Sequence, residues 1–193
     1  MKNFKTLLTA VGIVILMAAS EQVSAQKSSG NIMEVGTITL NLGVGFGRAG
    51  YGYTGYNGYG YNYGNGFGTK LAVERGMWEA GPGVITLGGE IGGAFSTSGS
   101  YKSNIIVVAA RSAYHYGWDV PSLDTYGGFS LGPGFRSSDY QSGQNSTSTN
   151  HDVVPAFGFF LGGSYFLSSN IGVNAEFGYD ITVFQAGVIF KLN

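Results

Sequence analysis

From Thr37 onward the chain alternates between apolar and small or polar residues. Ile38, Leu40, Leu42, Val44 and Phe46 fall on one side of an extended segment, and Thr39, Asn41, Gly43 and Gly45 on the other. Successive side chains of a β-strand point to opposite faces, so a period of two predicts a strand with one apolar face. The pattern recurs at 68–78, 84–95, 103–116, 125–136, 153–167, 171–179 and 184–192. In the last of these, Phe184, Ala186, Val188, Phe190 and Leu192 oppose Gln185, Gly187 and Lys191. The segment 68–78 fits least well. There Leu71, Val73 and Met77 share a face with Arg75, which predicts a bulge or an arginine that snorkels to a membrane interface.

The connections between these eight segments alternate in length. Those at 47–67, 96–102 and 137–152 are long or polar, and those at 79–83, 117–124 and 168–170 are short. The link at Asp180 is short but falls on the long-loop side. Short turns at one end and longer loops at the other are the pattern of a transmembrane barrel. An even strand number returns both chain ends to the same side.

The N-terminus reads as an export signal. Lys2 and Lys5 precede the apolar run Leu7 to Ala19, and Val23-Ser24-Ala25 supplies small residues for cleavage. A transmembrane helix needs about 20 apolar residues, and this run is shorter. Cleavage is expected after Ala25. Residues 1–25 would then be a signal peptide and 26–193 the barrel, with 26–36 as a short polar lead-in. No later apolar run reaches helical spanning length. A membrane location therefore requires a closed barrel, because only helices and barrels satisfy every backbone polar group in lipid.

Composition narrows the classes further. The chain carries 34 Gly among 193 residues and no Cys, and its charged residues are 11%, against a usual figure of about 25%. Glycine at this density disfavours a helical bundle, at roughly 1 kcal/mol per helical position. Ten Lys and Arg against eleven Asp and Glu leave no basic surplus for nucleic acid. Two all-β alternatives are a soluble lipocalin-like barrel and a secreted β-sandwich. A lipocalin-like barrel would turn its apolar face inward around a ligand, whereas the non-apolar face here is mostly Gly, Ser, Asn, Glu and Arg. A sandwich would need more surface charge than the 11% present.

The cleavage context Ser24-Ala25-Gln26, the eight glycine-rich amphipathic strands and the closing segment Gly187-Val188-Ile189-Phe190-Lys191-Leu192-Asn193 resemble a small outer-membrane β-barrel protein of the OmpA/OmpX/opacity-like class. The context and ending are similar to the outer-membrane barrels of Bacteroidetes. The resemblance implies an all-β, eight-stranded antiparallel up-and-down transmembrane barrel in a Gram-negative outer membrane. It also implies contact with outer-membrane lipid and lipopolysaccharide, and recognition of the last strand by the barrel assembly machinery. That strand usually ends on an aromatic residue in such proteins. Here Phe190 is the last aromatic, followed by Lys191, Leu192 and Asn193.

An eight-stranded barrel is just wide enough for its own side chains to fill it. The alternation places Glu74, Glu90, Arg111 and Glu176 inside, with Arg136 and Lys191 nearer the two ends. Such charges must be paired or hydrated, and Arg111 with Glu90 and Glu176 is the first pairing expected. A wide pore is not expected, since aqueous channels need about 16 strands. No enzymatic, cofactor or metal site is expected. His115 lies near a short turn, and His151 stands beside Asp152 in a polar loop with Ser146 and Ser148 nearby. A loop His next to Asp is commonly a solvated pair, and two histidines without spaced carboxylates make no metal site. Between Tyr51 and Tyr63 six residues of thirteen are tyrosine: Tyr51, Tyr53, Tyr56, Tyr59, Tyr61 and Tyr63. Tyr with Gly and Asn is the composition of adaptable binding loops. The stretch reads either as a surface patch for glycan, lipopolysaccharide or protein, or as a low-complexity loop at the membrane interface. The function expected is structural, adhesive or complex-scaffolding, and the alternative is a narrow channel or a lipocalin-like carrier of a small ligand.

Overall fold

The computed structural model describes residues 31–48, 66–98, 101–141 and 147–193. The expected signal peptide, the tyrosine-rich stretch and Ser146 lie outside the described residues. Eight strands follow one another: β1 (Ile38–Arg48), β2 (Phe67–Ala80), β3 (Gly83–Ser98), β4 (Tyr101–Tyr116), β5 (Leu123–Gln141), β6 (Thr147–Phe166), β7 (Ile171–Tyr179) and β8 (Thr182–Lys191). Each is antiparallel to its neighbour in sequence, and β1 pairs with β8 to close the barrel. Closure leaves no open sheet edge along the seam. The seam is finished by Asn193, whose side chain accepts from the Ile38 N–H and donates to the Gly36 carbonyl.

The alternating faces sort as the sequence pattern requires. Leu42, Val44 and Phe46 of β1, Phe157, Phe159 and Leu161 of β6, and Phe177 of β7 are all exposed on the outside, Leu161 at 69%. The intervening residues are buried inside. This is the inverse of a soluble protein: the large apolar side chains cover the outer wall, and ionised groups fill the interior. A lipocalin-like cup is thereby excluded.

Several expectations are corrected. The polar stretch 137–152 is not a loop: β5 runs to Gln141 and β6 starts at Thr147, so the two form a long hairpin. Its sequence is polar on both faces, which removes the contrast that marks a strand inside the membrane. The connection 96–102 shortens in the same way, because β3 reaches Ser98 and β4 begins at Tyr101. The irregularity in β2 is a bulge: Gly76 faces Thr86 but Trp78 faces Ile85, leaving Met77 as the extra residue. The lead-in is not merely a polar tether either. Met33 is buried, and Asn31 donates to the Pro82 carbonyl while accepting from the Gly117 N–H. This segment therefore ties two short turns together beneath the barrel.

The strands do not end level. β7 pairs with β6 only between Phe159 and Phe166, and it stops at Tyr179. From there to Thr147, β6 has no neighbour on its far side among the described residues. β4, β5 and β6 thus rise as a wall above the low β7–β8 turn at Asp180 and Ile181. Pro133 and Pro155 face each other across the wall. Neither can donate to the other, so the pair is of the non-hydrogen-bonded kind and each nitrogen points away. That of Pro155 points to the unpartnered side of β6.

Candidate functional site

The barrel interior carries the densest chemistry. Inward positions of β2, β3, β4 and β7 bring Glu74, Glu90, Arg111 and Glu176 together, and all four are buried. Arg111, 1% exposed, is the hub. Its Nη2 lies 2.6 Å from Glu176 Oε1, its Nη1 3.1 Å from Glu90 Oε2, and its Nε 3.1 Å from Glu74 Oε1. The guanidinium also stacks over the Phe160 ring, 3.6 Å from its centroid. A planar fork with five donors suits a site ringed by three carboxylates.

Sequence reasoning missed a second cation and its partner. Lys70 Nζ lies 2.5 Å from Glu176 Oε2, 2.6 Å from Asp180 Oδ2 and 3.7 Å from Glu90 Oε2. Lys70 shares the even-numbered face with Glu74, so the signal is present in the alternation. Asp180 belongs to a turn and gives no such signal. Its burial results from the shortness of β7 and β8, which sets the turn inside the rim rather than above it.

His115 is also buried inside, against the Tyr126 ring. Its Nδ1 lies 2.8 Å from Asp124 Oδ2, and Tyr126 donates its hydroxyl to Glu176 Oε1 at 3.0 Å. The interior thus holds one linked network in which Glu176 is shared by Lys70, Arg111 and Tyr126. Toward the long-loop end the interior changes character. Ala94, Ile105, Val107, Ala109, Ala156 and Ile181 pack into an apolar plug there. The expected polar filling therefore occupies only the middle and the turn-side part.

The remaining candidates lie apart. Arg136 and Lys191 sit near opposite ends, Arg136 on Asp152 at 2.9 Å and Lys191 on the Ile32 carbonyl at 3.3 Å. His151 is exposed. Its neighbour Asp152 accepts from Arg136 and Asn150, and adjacent strand residues point to opposite faces. His151 and Asp152 are therefore not set up as a catalytic pair.

No protein-family model and no curated protein sequence matches this chain. Among solved structures it is similar to neisserial surface protein A, with 14% identity and a TM-score of 0.51 over 81% of this chain and 96% of that one. The attachment invasion locus protein of Yersinia pestis is also similar, at 11% identity and a TM-score of 0.44, covering 80% of this chain and 93% of that one. The fold is that of an eight-stranded outer-membrane β-barrel. The likeness extends over nearly the whole neisserial chain, and at this identity it is a likeness of fold.

Proposed function

We propose that the protein is exported by a signal cleaved after Ala25, spans the bacterial outer membrane, and acts there as a non-enzymatic docking element. The active surface is the wall raised by β4, β5 and β6, with an adhesive or complex-scaffolding role. The observation that carries this reading is the contrast between a packed interior and an exterior wall whose last strand has an open edge among the described residues. The middle of the barrel is filled by ion-paired side chains and the loop-side end by an apolar plug, which favours a sealed barrel over a narrow channel or a carrier. The wall continues past the apolar belt, which ends near Phe95, Ile106, Phe135 and Val153. Beyond it the outward residues are polar: Thr97, Lys102, Asn104, Thr149 and His151. A strand with an unused row of backbone donors and acceptors can take up another extended segment, so the partner class favoured is polypeptide.

The test is cross-linking in intact cells from a photo-reactive residue at position 151. A companion variant replaces residues 138–150 with a two-residue turn. The expected result is a discrete cross-linked species, lost in the shortened variant while its barrel keeps the mobility shift between unboiled and boiled samples. A barrel that folds and yields no cross-linked species overturns the reading. Separate deletion of Tyr51–Tyr63 distinguishes the tyrosine-rich stretch as a second binding element: loss of the species there moves the contact to that stretch.

A further inference from the structure

Every strand pairing but one joins neighbours in the sequence. The exception is the seam between β1 and β8, where Ile38 and Asn193 are bonded although 155 positions apart. Bringing distant parts of a chain together costs loop-closure entropy before any contact rewards it, so the seam is the last pairing expected to form. Across its turn-side end runs the stretch 31–36. Gly36, with φ +91°, turns the chain out of the line of β1. A left-handed backbone of this kind favours glycine. The stretch then crosses beneath the barrel. There the Glu34 carbonyl lies against Gly76, in the space that a Cβ at 76 would fill.

The partners of this stretch come from separate parts of the chain. At the end of β8, Lys191 donates to the Ile32 carbonyl at 3.3 Å, and just past it Asn193 donates to the Gly36 carbonyl at 3.0 Å. On β2, the Gly76 carbonyl accepts from the Gly36 N–H at 2.8 Å. In the β2–β3 turn, the Pro82 carbonyl accepts from the Asn31 amide at 2.7 Å. In the β4–β5 turn, the Gly117 N–H donates to Asn31 Oδ1 at 2.9 Å. Asn193 stands in for a peptide unit, since its side chain also accepts from the Ile38 N–H at 2.7 Å. We propose that residues 31–36 are a closure-dependent strap, which docks only after β8 has joined β1 and then locks the seam and seals the turn-side mouth.

The order follows from where the partners stand. Before closure the stretch has only Gly76, Pro82 and Gly117 to bind, and fixing the backbone of six residues for so few bonds is entropically unfavourable. Met33, in the middle of the stretch, is 2% exposed, and a sheet not yet closed offers it no mouth to cover. After closure, parting β1 from β8 must break the Lys191–Ile32 bond and both bonds of Asn193 in addition to the ladder. The strap also lies over the end of the interior where His115 and Asp124 are buried. The ion network is therefore shut off from that side only once the ring is complete.

The chain contains no cysteine, so Met33→Cys supplies a single thiol. The test refolds the mature protein carrying it into detergent micelles and follows maleimide labelling against the compact band on unboiled gels. The expected result is fast labelling until the compact band appears, and labelling at least tenfold slower afterwards. Adding Asn193→Ala should bring back at least tenfold faster labelling while the compact band persists. A thiol protected before the compact band forms would overturn the proposal, and so would protection that Asn193→Ala leaves unchanged. If either variant fails to give the compact band, hydrogen exchange on the unaltered protein decides the matter. The Gly36 and Gly117 amides should exchange together with that of Leu192, ahead of the β4–β5 ladder. A Gly36 amide that outlasts the β1–β8 ladder means a strap that does not need the seam, and overturns the proposal equally.

Discussion

Arg111 shows what a single inward residue must do in this barrel. It meets three carboxylates that no bulk water reaches, so removing it leaves charges rather than a gap. Breaking a buried ion pair by deleting one partner costs roughly 3–5 kcal/mol. Arg111→Leu is therefore expected to lower the urea midpoint of unfolding in micelles, read by the unboiled-gel band. Lys70→Met should do the same to a smaller extent, since Glu176 keeps Arg111 and only Asp180 loses its cation. The double variant Arg111→Leu with Glu176→Gln should lose less than the sum of its single changes, because each removes part of the other's burden. Strict additivity would mean that the 2.6 Å contact contributes no coupling. Of these residues the alternation exposes Glu74, Glu90, Arg111 and Glu176. Lys70 sits on the same face but stands among apolar neighbours, and Asp180 is hidden by its place in a turn.

At the scale of the element, a period of two is legible wherever one face meets lipid and the other does not. That is why β1, β7 and β8 are visible in the sequence almost to their ends. The hairpin of β5 and β6 is not, because both of its faces are polar past Arg136 and Asp152. What holds it is the backbone ladder, continuous from Arg136–Asp152 to Gln141–Thr147. The bulge at Met77 is legible only as a fault in the pattern, since one extra residue puts every later position of the strand out of step with the alternation. Trp78 already stands on the outer wall opposite Ile85, so deleting Met77 should restore a regular ladder and leave the indole where it is. In a Trp118→Phe background, the emission of Trp78 should keep its wavelength in that deletion. A shift to longer wavelength would mean that the extra residue is not Met77.

For the whole molecule the decisive property is closure at both ends. The apolar plug of Ile105, Val107 and Ile181 blocks the long-loop end, and the segment Asn31–Gly36 lies across the turn-side end. Planar-bilayer recordings of the mature protein should therefore show no large, stable single-channel steps. Thinning the plug with Ile105→Gly and Ile181→Gly together should raise brief current events, whereas steps in the wild type would contradict a sealed interior. Closure confines any exchange with the surroundings to the exterior, and there the edge of β6 that is open among the described residues has a limit written into it. A guest strand pairing downward from Thr147 meets backbone donors until it reaches Pro155, where the donor is missing. The ladder is interrupted at the level where the apolar belt begins, as the β4–β5 ladder is at Pro133. A visiting strand would thus be favoured outside the bilayer and penalised for zipping onward between the barrel and its lipids.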